Sequence, residues 1–211
     1  MDGFNSAATR FAPSPSGFLH LGHAYGALFS ARQATAMGGT FLLRIEDIDT
    51  IRCTEEGIEQ MLNDLDWIGF SWDEEPRRQS AHFDDYQKAL DQLKADGLIY
   101  PCFCSRKQIK DAATGAKDPD GAPVYPGTCK HMSPFTRDKH MAEAKAFAWR
   151  LDMDKAIQKV GDLTWQELDE ELSHAETIKA DPAAWGDVVL ARKYTPTSYH
   201  LSVVVDDADQ N

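Results

Sequence analysis

Short apolar runs and longer amphipathic segments alternate over the first part of the chain. Residues 9–12 and 40–45 are short apolar runs that predict strands. Between them, residues 22–37 have helical spacing, and Gly38 predicts the end of that helix. The chain therefore begins with a strand, a helix and a second strand.

Two more helices are predicted downstream, one beginning at Thr54 and one near Ser80. Thr54 can accept hydrogen bonds from the first helical turn, where Glu55 and Glu56 suit the helix dipole, and Gly97 ends the later helix. Their apolar faces are formed by Ile58, Met61, Leu62 and Leu65, and by Phe83, Tyr86, Leu90 and Leu93. Strands that alternate with amphipathic helices are typical of an α/β fold with a parallel sheet covered on both faces.

Residues 100–132 interrupt this pattern. They are rich in loop-forming residues and have little apolar periodicity, so they cannot bury much core and need another source of stability. Beyond them, the sequence predicts a short helix from Ser133 and strands over 147–153, at Val188–Val189 and at Val203–Val205.

Composition changes this picture only slightly. The 211 residues carry 22 basic and 34 acidic side chains, a net charge of −12, which argues against a generally basic nucleic-acid-binding surface. A local patch stays compatible with this charge, although a solvated surface pair is the alternative for each candidate: Arg77–Arg78, Arg106–Lys107 and Arg192–Lys193. No apolar stretch is long enough to span a membrane, and residues 1–8 do not resemble a secretory signal, so a cytoplasmic protein is expected.

The most informative segment is RFAPSPSGFLHLGH, from Arg10 to His23. A strand, a tight loop and a helix start would place backbone N–H groups and the positive end of a helix dipole beside His20 and His23. Gly22 leaves room for a ligand against the backbone. The segment therefore predicts a phosphate site, for which an isolated His-x-x-His pair would be weaker evidence.

This run resembles the signature of class I aminoacyl-tRNA synthetases, and its first half is similar to the glutamate and glutamine branch. The run RIEDIDT, residues 44–50, resembles the same branch. The resemblance implies a Rossmann-type parallel sheet with an inserted zinc-binding subdomain. It places the first half of the catalytic domain at 1–99, the insertion at 100–132, and the connective region with the return to the sheet at 133–211.

The resemblance also implies a glutamate site. Arg10 would pair with the substrate side-chain carboxylate, Glu46 would accept the α-ammonium group, and the backbone at Ala12 with Ser14 would complete the cradle. Tyr199 corresponds to a second substrate contact. From the residue types alone, Arg10 and Glu46 could equally form surface ion pairs, and Tyr199 could be a packed strand aromatic.

ATP is the second substrate that the resemblance implies. His20, Gly22 and His23 would bind it, and both histidines would donate hydrogen bonds to phosphate oxygens as charge builds in the transition state. Mg²⁺ would accompany ATP.

Three of the four cysteines fall in the irregular region: Cys102, Cys104 and Cys129. Such a cluster favours structural zinc over three buried free thiols. The fourth ligand is either Tyr125, which matches the spacing of the glutamyl-Q tRNA(Asp) synthetases, or His131, which matches some glutamyl-tRNA synthetases. We predict the set with Tyr125, and we expect Cys53 to be a buried packing residue.

Together these motifs resemble the glutamyl-Q tRNA(Asp) synthetases. The resemblance implies a monomer that activates L-glutamate with ATP, without needing tRNA, and transfers it to the queuosine base in the anticodon of tRNA(Asp). A catalytic fragment of a glutamyl-tRNA synthetase and a non-catalytic nucleotide- and zinc-binding module are the alternatives. A Lys-Met-Ser-Lys-Ser-like loop and a further glutamate-site arginine are missing from the sequence, which suggests a truncated form.

Overall fold

The computed structural model describes residues 7–143 and 145–210, which form two compact units. The first unit contains the chain up to Gln87 together with the segment from Leu201 onward, and the second contains Lys88–His200. Most of the segment examined for a secretory signal, residues 1–6, lies outside the described residues, as does Asn211. Within the described ranges, no helix is both long and apolar enough to cross a membrane.

The elements of the first unit largely follow the predicted order. They are β1 (Ala8–Phe11), α1 (Leu21–Met37), β2 (Thr40–Ile45), α2 (Glu55–Ile68), β3 (Arg77–Arg78), a short 3-10 turn (Gln79–His82), the start of helix α3 (Phe83–Ala95), and most of α7 (Tyr199–Asp209). Helices α3 and α7 each continue into the second unit.

A parallel sheet with the order β1-β2-β3 organises the first unit. Strand β2 lies in the middle, and Phe41 to Ile45 are all buried. Ile45 packs with Ile58 and Met61 of α2, which confirms the predicted apolar face of that helix. Since β2 is buried, polar groups at its carboxyl end are held in a fixed position beside the sheet.

Local signals explain where α1 ends and where α2 begins. The predicted glycine cap of α1 is confirmed, because Gly38 has a φ of 63°, a left-handed conformation in which glycine is not penalised. Gly39 is also required, because a Cβ there would lie 2.2 Å from the carbonyl oxygen of Ala7. Thr54 caps α2 by accepting a hydrogen bond from the backbone N–H of Gly57, as predicted.

The second unit is built on antiparallel pairing. Its elements are β4 (Ile99–Cys102), α4 (Arg106–Asp111), α5 (Pro134–Ala142), β5 (Ala148–Leu151), α6 (Met153–Val160), β6 (Thr164–Leu168), β7 (Ala175–Lys179), a 3-10 turn (Pro182–Trp185) and β8 (Val189–Ala191). One sheet has the order β4-β5-β8, and β6 and β7 form a separate hairpin. The helix from Ser133 and the strand at Val189 are confirmed, whereas α6 and the hairpin were not predicted.

The strand predicted at Val203–Val205 is wrong, because these residues lie in the middle of helix α7. Leu201, Ser202 and Asp206 are buried while Val204 is exposed, and this spacing suits a helix rather than the alternation of a strand. β-Branched residues favour strands only weakly, so tertiary contacts can override that preference.

The decisive contact of α7 is a buried carboxylate. Asp206 has no exposed surface, and its oxygens accept hydrogen bonds from Arg77 Nε at 2.7 Å, Gln79 Nε2 at 2.7 Å and the hydroxyl of Tyr86 at 2.9 and 3.0 Å. Arg77 also pairs with Asp209 on the next turn of the helix. These bonds hold α7 against β3 and α3 inside the first unit.

We predict that Asp206→Ala lowers the free energy of unfolding of the first unit by about 3–5 kcal/mol, because it leaves Arg77, Gln79 and Tyr86 without their buried acceptor. Asp209→Ala is the matched control, since this exposed carboxylate also pairs with Arg77 but should contribute less than about 1 kcal/mol. Urea denaturation followed by circular dichroism measures both values. Equal losses for the two variants would contradict the assigned role of Asp206.

Candidate functional site

The predicted phosphate motif lies at the start of α1. His20 is the N-cap residue, and its Nδ1 accepts a hydrogen bond from the backbone N–H of Gly22 at 3.1 Å. His23 Nδ1 accepts in turn from the backbone N–H of His20 at 3.1 Å. A Cβ at position 22 would lie 3.0 Å from the His20 ring, so Gly22 allows this histidine to cap the helix.

These hydrogen bonds determine which nitrogen of each imidazole can donate. Because both Nδ1 atoms accept from backbone N–H groups, the proton of each neutral ring lies on Nε2. Burial lowers the pKa of His23, and the neighbouring His20 lowers it further. His23 is thus a neutral hydrogen-bond donor near pH 7, placed at the positive end of a helix.

Arg10 on β1 lies in a chain of alternating charges. Its Nη1 is 3.2 Å from Asp207 Oδ1, and the same oxygen accepts a hydrogen bond from Arg44 Nη1. Arg44 Nη2 donates to Glu46 Oε1 at 3.1 Å. The geometry thus links the two residues predicted to bind opposite ends of glutamate, Arg10 and Glu46, through Asp207 and Arg44.

One edge of the Arg10 guanidinium is left unpaired. Its Nε and Nη2 atoms are buried and have no hydrogen-bond partner among the described residues. These two atoms can together donate two parallel hydrogen bonds to a carboxylate, and leaving them unpaired is unfavourable. Arg10 therefore has the donor atoms that a bound carboxylate would use.

Glu46 follows β2 directly and is mostly buried. Burial raises its pKa, while Arg44 acts in the opposite direction through charge and a hydrogen bond. Its backbone N–H donates to the carbonyl oxygen of Pro13 at 3.0 Å, so the loop after β1 is attached to the end of β2.

Other predicted substrate contacts occupy less constrained positions. Ser14 is exposed in the loop after β1, and its hydroxyl lies 3.7 Å from the sulfur of Cys53, which is buried as expected. Ala12 follows β1 directly. Tyr199 begins α7, is 60% exposed, and its ring contacts that of His200. The substrate roles of these three residues remain predictions.

Two of the candidate basic pairs have internal partners. Arg77 pairs with Asp206 and Asp209, and Arg78 pairs with Asp47 and Glu55. Lys193 donates to the carbonyl oxygen of Phe103. These contacts explain the positions of the basic residues without a nucleic acid.

In the second unit, the three clustered cysteines come together as predicted. The sulfur atoms of Cys102, Cys104 and Cys129 all lie within 4.8 Å of one another. The Tyr125 hydroxyl is 3.4 Å from Cys102 Sγ and 3.6 Å from Cys104 Sγ, and it accepts a hydrogen bond from the backbone N–H of Cys129 at 2.8 Å. Three thiols and a phenol thus converge on one point, and a thiol-rich set of this kind suits zinc.

The geometry also bears on the choice between Tyr125 and His131. His131 is exposed and is not part of the convergent group within the described residues. Tyr125 is buried, and the guanidinium carbon of Arg150 lies 3.8 Å from the centre of its ring. The hydrogen bond from Cys129 holds the pKa of Cys102 below its usual range. The arrangement favours Tyr125 as the fourth ligand.

Sequence reasoning assigned no role to Arg44, Asp207 or Arg150. The available signals were a single arginine inside an apolar strand, an Asp-Asp pair after a valine run, and an arginine in a predicted strand. None of these signals identifies the partner, because Asp207 follows Arg44 by 163 positions and the ring that Arg150 contacts belongs to another segment of the chain.

Comparison with known proteins places the chain in a family. Residues 6–211 match the family described as tRNA synthetases class I (E and Q), catalytic domain. The glutamate–tRNA synthetase structure from Elizabethkingia anophelis superimposes with a TM-score of 0.72 at 25% identity, covering 97% of this chain and 42% of that one. The chain belongs to the class I tRNA synthetase family of the glutamate and glutamine type.

Individual relatives show which members of this family the chain is similar to. The chain is 44% identical to a glutamyl-Q tRNA(Asp) synthetase of Rhodobacter capsulatus, over 96% of the chain and 73% of that protein. It is 39% identical to one of Symbiobacterium thermophilum, over 94% of the chain and 61% of that protein. A glutamate–tRNA ligase of Aquifex aeolicus is 38% identical, but the match covers only 40% of it. The chain thus spans only part of the length of each of these relatives.

We predict that Cys129→Ser lowers the zinc content from about one ion per chain to a small fraction of that, because it removes one of three convergent thiols. Cys53→Ser is the matched control and should retain the metal, since Cys53 is buried in the first unit. Elemental analysis after dialysis against a weak chelator measures both.

A second pair of variants tests the fourth ligand. Tyr125→Phe should weaken zinc binding, and His131→Ala should leave it unchanged. The reverse result would assign the fourth position to His131.

Proposed function

We propose that the chain activates L-glutamate with ATP, forming glutamyl-adenylate and pyrophosphate. The observation that carries this proposal is the buried, unpaired Nε–Nη2 edge of Arg10, linked by charge to the acidic Glu46. A cationic and an anionic group held by one network suit a ligand that carries both charges, as an amino acid does. Matches to proteins named for glutamate support the choice of amino acid.

In this reaction an oxygen of the glutamate α-carboxylate forms a bond to the α-phosphorus of ATP. The bond from that phosphorus to the bridging oxygen of the β-phosphate breaks, and pyrophosphate leaves with the electron pair. No covalent enzyme intermediate is required, so the residues act by positioning and by stabilising charge.

The residues of the chain have distinct tasks in this step. Arg10 binds the side-chain carboxylate of glutamate and Glu46 accepts hydrogen bonds from its ammonium group. The Nε2–H groups of His20 and His23 donate to phosphate oxygens, and the start of α1 adds its dipole. Mg²⁺ bound to ATP would neutralise part of the phosphate charge.

We further propose that the glutamyl group is transferred to the queuosine base in the anticodon of tRNA(Asp), with release of AMP. The names of the relatives with 39–44% identity support this acceptor. The position of Tyr125 among the three cysteines supports it as well, because the Tyr-containing zinc pattern is the one that resembles the glutamyl-Q enzymes. Zinc held by these four residues would stabilise the loops around them and take no part in the chemistry.

A second candidate function is aminoacylation of tRNA by a glutamyl-tRNA synthetase. It is favoured by the 38% identity to a glutamate–tRNA ligase over 95% of this chain. Glutamate-dependent exchange of pyrophosphate into ATP, measured with and without tRNA, separates the two candidates. The assay should use both this chain and the longest reading frame that contains it.

Exchange without tRNA would support the glutamyl-Q function, and exchange only with tRNA would support a glutamyl-tRNA synthetase. If neither protein catalyses exchange, the chain is better described as a binding module.

We predict that Arg10→Ala weakens L-glutamate binding by at least about tenfold and changes ATP binding by less than about twofold, since a charged hydrogen bond to the substrate carboxylate is lost. Arg32→Ala is the matched control, because Arg32 is an exposed arginine on α1. Isothermal titration calorimetry with each ligand measures the effect. Unchanged glutamate affinity in Arg10→Ala would remove Arg10 from the site.

A further inference from the structure

The residue between the two proposed glutamate contacts is a buried arginine. Arg44 is only 4% exposed, although its side chain is charged, and it lies within the apolar strand β2. Burying a charge is costly unless it is paired, and Arg44 is paired with Glu46 on one side and Asp207 on the other. Its position therefore fixes two carboxylates at once.

Each of those carboxylates leads to a proposed substrate contact. Glu46 is itself the acceptor proposed for the ammonium group, and Asp207 holds the Nη1 atom of Arg10. Asp207 leaves the Nε–Nη2 edge of Arg10 unpaired, so it orients the guanidinium without using the atoms that a substrate carboxylate needs. Arg44 thus couples the orientation of Arg10 to that of Glu46.

The position of Asp207 is itself determined by its neighbour. Asp206 is held by Arg77, Gln79 and Tyr86, so the turn of α7 that carries Asp207 cannot slide along the sheet. Arg44 Nε is 3.9 Å from Asp206 Oδ2, which adds attraction to the same turn. Arg44 is therefore enclosed by acceptors from two elements, β2 with its following residue and α7.

We propose that Arg44 is the positioning residue of the amino-acid site: it sets the separation and orientation of Arg10 and Glu46, and through them the affinity for glutamate, without touching the substrate. This inference rests on the proposed function and adds a residue to it. It implies that Arg44 affects glutamate binding but not ATP binding, because the proposed ATP contacts lie at the start of α1.

The test compares Arg44→Met, Arg44→Lys and Arg78→Met. Arg78, on the neighbouring strand β3, is the matched control. It also bridges two carboxylates, Asp47 and Glu55, but it contacts neither Glu46 nor Asp207. Dissociation constants for L-glutamate and for ATP are measured by calorimetry, and Tm is recorded for each variant. The KM for glutamate and kcat are measured by pyrophosphate exchange.

We expect Arg44→Met to raise the glutamate dissociation constant and KM about ten- to a hundredfold, with ATP binding changed less than about twofold and kcat changed little. Arg44→Lys keeps the positive charge but loses the planar guanidinium that donates to two carboxylates at once. It should therefore retain more glutamate affinity than Arg44→Met. Arg78→Met should lower Tm without a selective loss of glutamate binding.

A double variant distinguishes positioning from general destabilisation. If Arg44 acts through Glu46, adding Arg44→Met to Glu46→Gln should weaken glutamate binding much less than Arg44→Met does alone. If Arg44→Met does not fold, Arg44→Lys alone decides the matter, because unchanged glutamate affinity would overturn the proposal.

Equal effects of Arg44→Met and Arg78→Met on both ligands would also overturn it. Failure of the unmodified protein to bind glutamate is a different result, because it would reject the proposed function and this inference together.

Discussion

The buried carboxylate of Asp206 is the interaction on which the first unit depends. A charge without exposed surface is tolerated only because an arginine, an amide and a phenol all donate to it. The same bonds fix the helical turn that carries Asp207. The network of charged side chains from Arg10 to Glu46 therefore depends on the packing of α7. Core stability and site geometry are set by one cluster of buried polar groups.

Much of the fold was predictable where the controlling signals are local. The N-cap at Thr54, the glycine end of α1 at Gly38 and the continuous apolar run of β2 depend on residues within one turn or one strand. The hairpin of β6 and β7 escaped prediction because β6 is exposed along its whole length and offers no apolar alternation. The valine run of α7 has the local pattern of a strand, so the sequence predicted the wrong element. Its helix is stabilised by partners that lie far away in the sequence.

The candidate site was predictable to the same extent. Arg10 and Glu46 stand at strand ends, and a known sequence signature surrounds them, so their positions could be inferred without coordinates. The cysteines and Tyr125 lie close together in the sequence, which made their convergence foreseeable. Arg44 and Asp207 could not be paired in advance, because 163 positions separate them and many acidic residues could have served as the partner.

That separation has a consequence for the order in which the protein is synthesised. Arg44, Arg77 and Tyr86 emerge from the ribosome long before their acceptors, which follow 163, 129 and 120 positions later. Until α7 is made, Arg77 lacks its buried partner Asp206 and Arg44 has only Glu46, so the charge network around the early strands is incomplete. The described strand pairs of the second unit, which is encoded between them, lie within Lys88–His200, so this unit can fold first. The nascent chain should therefore bring its three clustered cysteines together before it completes the network that links Arg10 to Glu46.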